Sequence, residues 1–188
     1  DRGGGDPNNV VIGLCDWDRS FEGKSLADII SDRGEEVTSS NAADLVMDII
    51  EAGGARAIYH AMDESDVERI MQHPATAIAS DGGVSMFGQG VPHPREYGTF
   101  ARVLSRYVRE RSLLTLEEAV RKMSGATAHR LGLHDRGILR EGFVADIAVF
   151  DPLLVRDLAT FSEPHQYAIG TQFVLVNGTL VVDEGKHT

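Results

Sequence analysis

The chain has 188 residues, of which 42% are hydrophobic and 25% charged, and a formal charge of -11. That length holds one full domain, or one large and one small piece of a bigger fold. The acidity argues against a nucleic-acid partner, which needs a basic surface, but not against a small anion held by one well-placed arginine. No apolar run reaches the roughly 18 residues that cross a bilayer, so no membrane partner is expected. No signal peptide opens the chain. The one cysteine, Cys15, excludes an internal disulfide and fits a reducing, cytoplasmic compartment. The opening run Asp1-Arg2-Gly3-Gly4-Gly5-Asp6 has no initiator Met and reads as a loop. The chain is therefore expected to begin inside a longer polypeptide, a processed N-terminus being the alternative.

In chain order, residues 10–14 are a short apolar run behind a Gly/Pro/Asn loop and read as a buried strand. Residues 25–33 read as a short helix stopped at Gly34. Ser40 or Asn41 can cap a second helix, with Leu45, Val46, Ile49 and Ile50 on one face and Gly53-Gly54 as its stop. Residues 57–62 read as a strand, 63–71 as a helix, and 76–79 as another strand running into Ser80-Asp81-Gly82-Gly83. This alternation predicts a parallel sheet with crossover helices. A Gly/Pro-rich loop over 84–95 precedes a helix over 97–111, a second opened by a Thr115/Glu118 capping box, and a third over 126–131. Beyond Gly132 the pattern turns strand-like at 138–139, 145–150, 173–176 and 180–182, with Asn177-Gly178 as a hairpin signal between the last two. These strands read as part of a small separate β domain.

Asp81 carries the chemistry that the sequence suggests most directly. It stands at the expected C-terminal end of a parallel strand, the edge that holds active sites in parallel α/β barrels. A carboxylate there can bind a divalent metal, or relay a proton between water and a leaving group. The bland alternative is a carboxylate that caps a turn. In His93-Pro94-Arg95, the arginine can grip a carboxylate through two parallel hydrogen bonds, and the proline stiffens the backbone at His93; an exposed loop arginine is the alternative. His60 and Met62 share one side of the expected strand. Met62 can line an apolar side-chain pocket, and His60 can be a ligand, a wall or a structural histidine. Cys15 has no Cys or His at ligand spacing, and no H-x-H or HExxH pair occurs.

Five segments in fixed order, IASDGG, HPREYGTFARVLSRYVRE, LTLEEAVRKMSGATAHRLGL, DRGILREGFVADIAVFDP and FVLVNGTLVV, resemble the D-aminoacylase (N-acyl-D-amino-acid deacylase) branch of the amidohydrolase superfamily. GKSLADIISDRG and the helix after it resemble the region before that family's seventh strand. The SDG and HPRxYGTF pair is rather specific to this branch; the ADIAVFDP string and VNG hairpin are shared by many amidohydrolases.

The resemblance implies an α/β fold: residues 1–135 as the C-terminal part of a distorted TIM-like metal-dependent hydrolase barrel, and 136–188 as part of a small β-sandwich domain. It implies hydrolysis of N-acyl-D-amino acids with zinc, one or two divalent ions in the complete protein. Asp81 then matches the general base toward metal-bound water, later the acid toward the leaving amine, and a possible second-metal ligand. Arg95 matches the substrate-carboxylate arginine and Met62 a residue beside the substrate side chain; His93 and Ser80 are expected to touch substrate next to them. The family's early H-x-H, cysteine and further histidines match nothing in this chain, so the main ligands are expected in the remainder of the polypeptide. The stretch VSMFGQGVPHPR departs from the family's loop and can reshape the substrate pocket. A hydantoinase-like or dihydroorotase-like cyclic amidase and a non-catalytic fragment that keeps the fold are the competing readings.

Overall fold

The computed structural model describes residues 4–188, in two compact units. Asp1 to Gly3 of the expected N-terminal loop lie outside the described residues.

The first unit comprises the chain up to Asp63 together with Gly83–Glu96 and Thr160–His165. Strand β1 (Val10–Leu14) falls where the apolar run placed it. Helix α1 (Leu26–Asp32) opens with a full capping box between Ser25 and Asp28 and stops at Gly34, φ 76°. Helix α2 (Ser39–Glu51) is capped by Thr38, two or three residues before the expected Ser40 or Asn41, because the Thr38 side chain accepts the Asn41 N–H. Ile12, Cys15, Leu26, Ile29, Ile30, Ala42, Leu45 and Ile49 form this unit's core. Val46 and Ile50, expected on the same face of α2, are exposed. Strand β2 is only Arg56–Tyr59.

The pairing corrects the parallel-sheet expectation. β1 and β2 run antiparallel, Val10 opposite Tyr59 and Val11 opposite Ile58, with a bulge between Ile12 and Leu14. The shorter β2 leaves His60 and Met62 beyond the ladder rather than in it. Residues 76–79 belong to no strand.

The second unit comprises Glu64–Gly82, Tyr97–Ala159 and Gln166–Thr188. Its helices are α3 (Glu64–Gln72), α4 (Arg95–Arg102, whose first two residues close the first unit's stretch), a π-helical continuation over Val103–Glu110, α5 (Leu116–Met123) and α6 (Gly125–Arg130). Ile78, Val103, Leu104, Tyr107, Leu114, Ala119 and Val155 make its core. Thr115 caps α5 as expected. The Glu118 carboxylate binds the Arg121 guanidinium through two 2.7 Å contacts, and Arg121 holds its pKa down to about 2. That leaves the capping box half made.

Strands β3 (Ile147–Phe150), β4 (Thr171–Val176), β5 (Thr179–Asp183) and β6 (Lys186–His187) form one antiparallel sheet in chain order. Asn177 and Gly178, at φ 51° and 79°, make the type I′ turn that their sequence signals. Asp146 anchors this turn by accepting the Asn177 N–H at 2.7 Å. Residues 138–139, expected in a strand, lie outside the sheet with both side chains exposed.

The segment leading to Asp81 is held by a buried cation. Lys122 on α5 has no solvent exposure. Its Nζ donates to the carbonyls of His73 (2.5 Å) and Thr76 (3.2 Å) and stands 3.6 Å from Glu118. In return, the Ile78 N–H donates to the Lys122 carbonyl at 3.2 Å. The backbone group that a parallel ladder would use is thus taken by a helix end. Lys122→Met in the complete protein keeps the volume but strands two carbonyls, so stability should fall by about 1–3 kcal/mol. Thermal or urea unfolding measures this; an unchanged midpoint would show that the carbonyls need no partner.

Candidate active-site residues

Asp81 ends the Ile78-Ala79-Ser80 run in the second unit and is exposed. Its φ is 47°, in the left-handed region that few non-glycine residues adopt. Neither Gly82 nor Gly83 has positive φ; Asp81 itself takes the left-handed conformation. The Ser80 hydroxyl supports it by accepting the Gly82 N–H at 3.2 Å. Aspartate tolerates this conformation better than most residues, yet it still costs energy, and such strain collects at functional sites.

Met62, His60, His93 and Arg95 belong to the first unit, and Ser80 and Asp81 to the second. Met62 is 81% exposed. His93 is half-buried, and its Nδ1 accepts the Arg95 N–H at 3.0 Å. Burial lowers the His93 pKa, and the charges of Arg95 and His60 push the same way against a smaller opposite pull from Glu96. His93 and Arg95 line a cavity of about 170 Å³ with Ser85, Gln89, Arg56 and Glu96, so two arginines, a histidine and a glutamate border one space. Cys15 is fully buried in the first core, as a structural thiol would be. Among the described residues no three His, Cys, Asp or Glu side chains gather into a metal-holding group. Asp81 can therefore offer a metal one carboxylate but no complete ligand set.

The loop between Asp81 and Arg95 is docked on its unit. Val91 N–H donates to the Gly13 carbonyl at 2.6 Å, beside the β1 bulge. A Cβ at Gly90 would stand 2.7 Å from that same oxygen, so only glycine fits. From the other side His165 uses both ring nitrogens: Nδ1 accepts the Gly88 N–H at 3.1 Å, which leaves the proton on Nε2 for the Gly90 carbonyl at 2.9 Å. Phe161, near His165 in sequence, meets His60 and His93 edge-on at 4.6 and 5.0 Å between centroids.

Sequence reasoning missed Lys122, Phe161 and His165. Lys122 had one visible signal, a lysine three residues after Ala119 beside the apolar stripe of α5. Phe161 and His165 had none, because their partners lie roughly seventy or more residues away.

The amidohydrolase family model matches residues 22–182 of this chain. The chain belongs to the amidohydrolase family. It is 40% identical over 178 residues to an N-acyl-D-aspartate deacylase of Alcaligenes xylosoxydans xylosoxydans, covering 93% of this chain and 33% of that protein. It is 42% identical over 179 residues to a D-aminoacylase of the same organism, covering 95% of this chain and 35% of that one. A solved N-acyl-D-glutamate deacylase from Bordetella bronchiseptica, bound to zinc and a phosphonate mimic of the tetrahedral intermediate, superposes with a TM-score of 0.80 at 41% identity. That match covers 93% of this chain and 34% of the other. The chain thus spans about a third of the length of the curated relatives it matches. The resemblance to the D-aminoacylase branch holds over nearly the whole chain.

His165→Ala should release the docked loop without touching either core. Amide hydrogen exchange at Gly88 should speed up by about 10-fold or more, the size of one lost hydrogen bond. Unchanged protection at Gly88 would show that the Gly13 contact alone holds the loop.

Proposed function

We propose that the complete protein hydrolyses the amide bond of N-acyl-D-amino acids, releasing a carboxylate and a free D-amino acid. The observation that carries this reading is Asp81, an exposed aspartate held at positive φ inside the SDG segment that resembles the family's catalytic one. The relatives' names support the substrate class. In this reading residues 1–135 supply the last part of a TIM-like barrel, and 136–188 supply part of a small β-sandwich. No helix among the described residues is long and apolar enough to cross a membrane. The single cysteine fits a reducing compartment, and on that ground we place the protein in the cytoplasm.

Zinc fits Asp81 as one oxygen ligand or neighbour, with the remaining ligands supplied by the rest of the polypeptide; when bound it supplies Lewis acidity towards the acyl carbonyl and a more acidic water. Asp81 takes the proton from the attacking water as its oxygen bonds to the acyl carbon. It then delivers that proton to the amide nitrogen as the C–N bond breaks, so base and acid are one carboxylate in two steps. Arg95 grips the α-carboxylate through paired hydrogen bonds and favours N-acyl amino acids over plain amides. Met62 lies beside the D side chain, and His93 and Ser80 touch the bound substrate next to their neighbours.

Assays of the complete protein with zinc on N-acetyl-D-amino acids and on hydantoins test the reading. Turnover of the linear substrates is expected, with kcat for Asp81→Asn reduced by about 10²-fold or more. Arg95→Ala should mainly raise KM for carboxylate-bearing substrates. Activity confined to cyclic amides, or an Asp81→Asn rate equal to wild type, would remove the proposal.

A further inference from the structure

His93 has a local task that needs only half of its ring. By accepting the Arg95 N–H on Nδ1, it caps the start of α4, as an asparagine or aspartate side chain would. The other half of the ring has no local task. Because Nδ1 accepts, the single ring proton of the neutral imidazole sits on Nε2. That N–H has no hydrogen-bond partner among the described residues. It is not among the sealed, unpartnered polar atoms either, so it is open for a ligand. Burial and the Arg95 charge keep the ring neutral, which preserves this tautomer.

The ring's orientation is also fixed beyond what capping requires. Phe161 packs edge-on against His93 at an interplanar angle of 77° and against His60 at 64°. A donor held this way, in the same cavity as Arg95, suits a carboxylate. A carboxylate has about four lone-pair sites; a bidentate arginine fills two and leaves room for a third hydrogen bond.

We propose that His93 donates from Nε2 to the same substrate carboxylate that Arg95 grips, and that Phe161 is the positioning residue that keeps the His93 ring on it. This rests on the N-acyl amino acid reading above.

The test uses the complete zinc-loaded protein and His93→Asn, whose Oδ1 keeps the N-cap acceptor but whose shorter side chain places no donor at the position of Nε2. The expected result is an unchanged melting temperature and a KM for N-acetyl-D-alanine raised by about 10-fold. KM for N-acetyl-D-alanine amide, which has no carboxylate, should stay as in wild type. Phe161→Leu should raise KM for the acid by about 3-fold, and Phe161→Tyr, which keeps the ring edge, should restore it. Equal KM values for wild type and His93→Asn, or equal losses on acid and amide, would reduce His93 to a cap and overturn the proposal. Long-range proton–nitrogen NMR of the ring gives a readout independent of turnover: Nε2–H at pH 7, shifted on adding N-acetyl-D-alanine, is expected. An Nδ1–H ring, an imidazolium, or no shift overturns the donor even in an active enzyme. An inactive protein whose Nε2–H still shifts supports the donor and sinks the deacylase reading alone.

Discussion

A lysine with no exposure has to find its partners inside the protein, and Lys122 finds them in the chain that leads to Asp81. The His73 carbonyl before the 76–79 run and the Thr76 carbonyl at its start accept the ammonium hydrogens, and the Ile78 amide within it bonds back to the Lys122 carbonyl. Loss of these carbonyls would leave the fully buried ammonium unmet, which is the expensive direction of that exchange. The run over 76–79 is thereby tied down without a neighbouring strand. Asp81 follows at once, and it rather than the glycines after it takes the left-handed conformation.

A similar economy governs the loop beyond Asp81. It contains four glycines between residues 82 and 90 and would be floppy if left to itself. It is held at one point by the Gly13 carbonyl and at two by the ring of His165. Arg95 then opens a helix whose start His93 caps, rather than standing on a free loop. A carboxylate clamp built on such a base loses less freedom when it binds, which is what preorganisation contributes to affinity.

The local elements were readable because their causes are local. Ser25-x-x-Asp28, Asn177-Gly178 and the apolar run at 10–14 contain their own caps, turns and periodicity, and each sits where those features place it. The parallel sheet was not readable in the same way. Strand-like composition at 57–62 and 76–79 says that the backbone is extended, not which partner its N–H groups take. In the structure those partners are β1, running antiparallel, for one stretch and the end of α5 for the other. Asp81 and Arg95 were visible as chemistry, whereas the residues that hold the site in shape come from distant sequence and leave no pattern. Lys122 is the partial exception, a charge beside an apolar helical stripe that asks for a buried partner.

The deacylase reading depends on one carboxylate reaching a metal whose other ligands come from the rest of the polypeptide. A crystal structure of the complete protein grown with zinc tests it most directly, through the distance from the Asp81 carboxylate to the ion. An oxygen of Asp81 should lie either about 2.0–2.2 Å from zinc as a ligand, or within about 2.6–3.2 Å of a water on it. A well-ordered zinc with the Asp81 side chain turned away into a surface turn, beyond reach of any water on the ion, would contradict it.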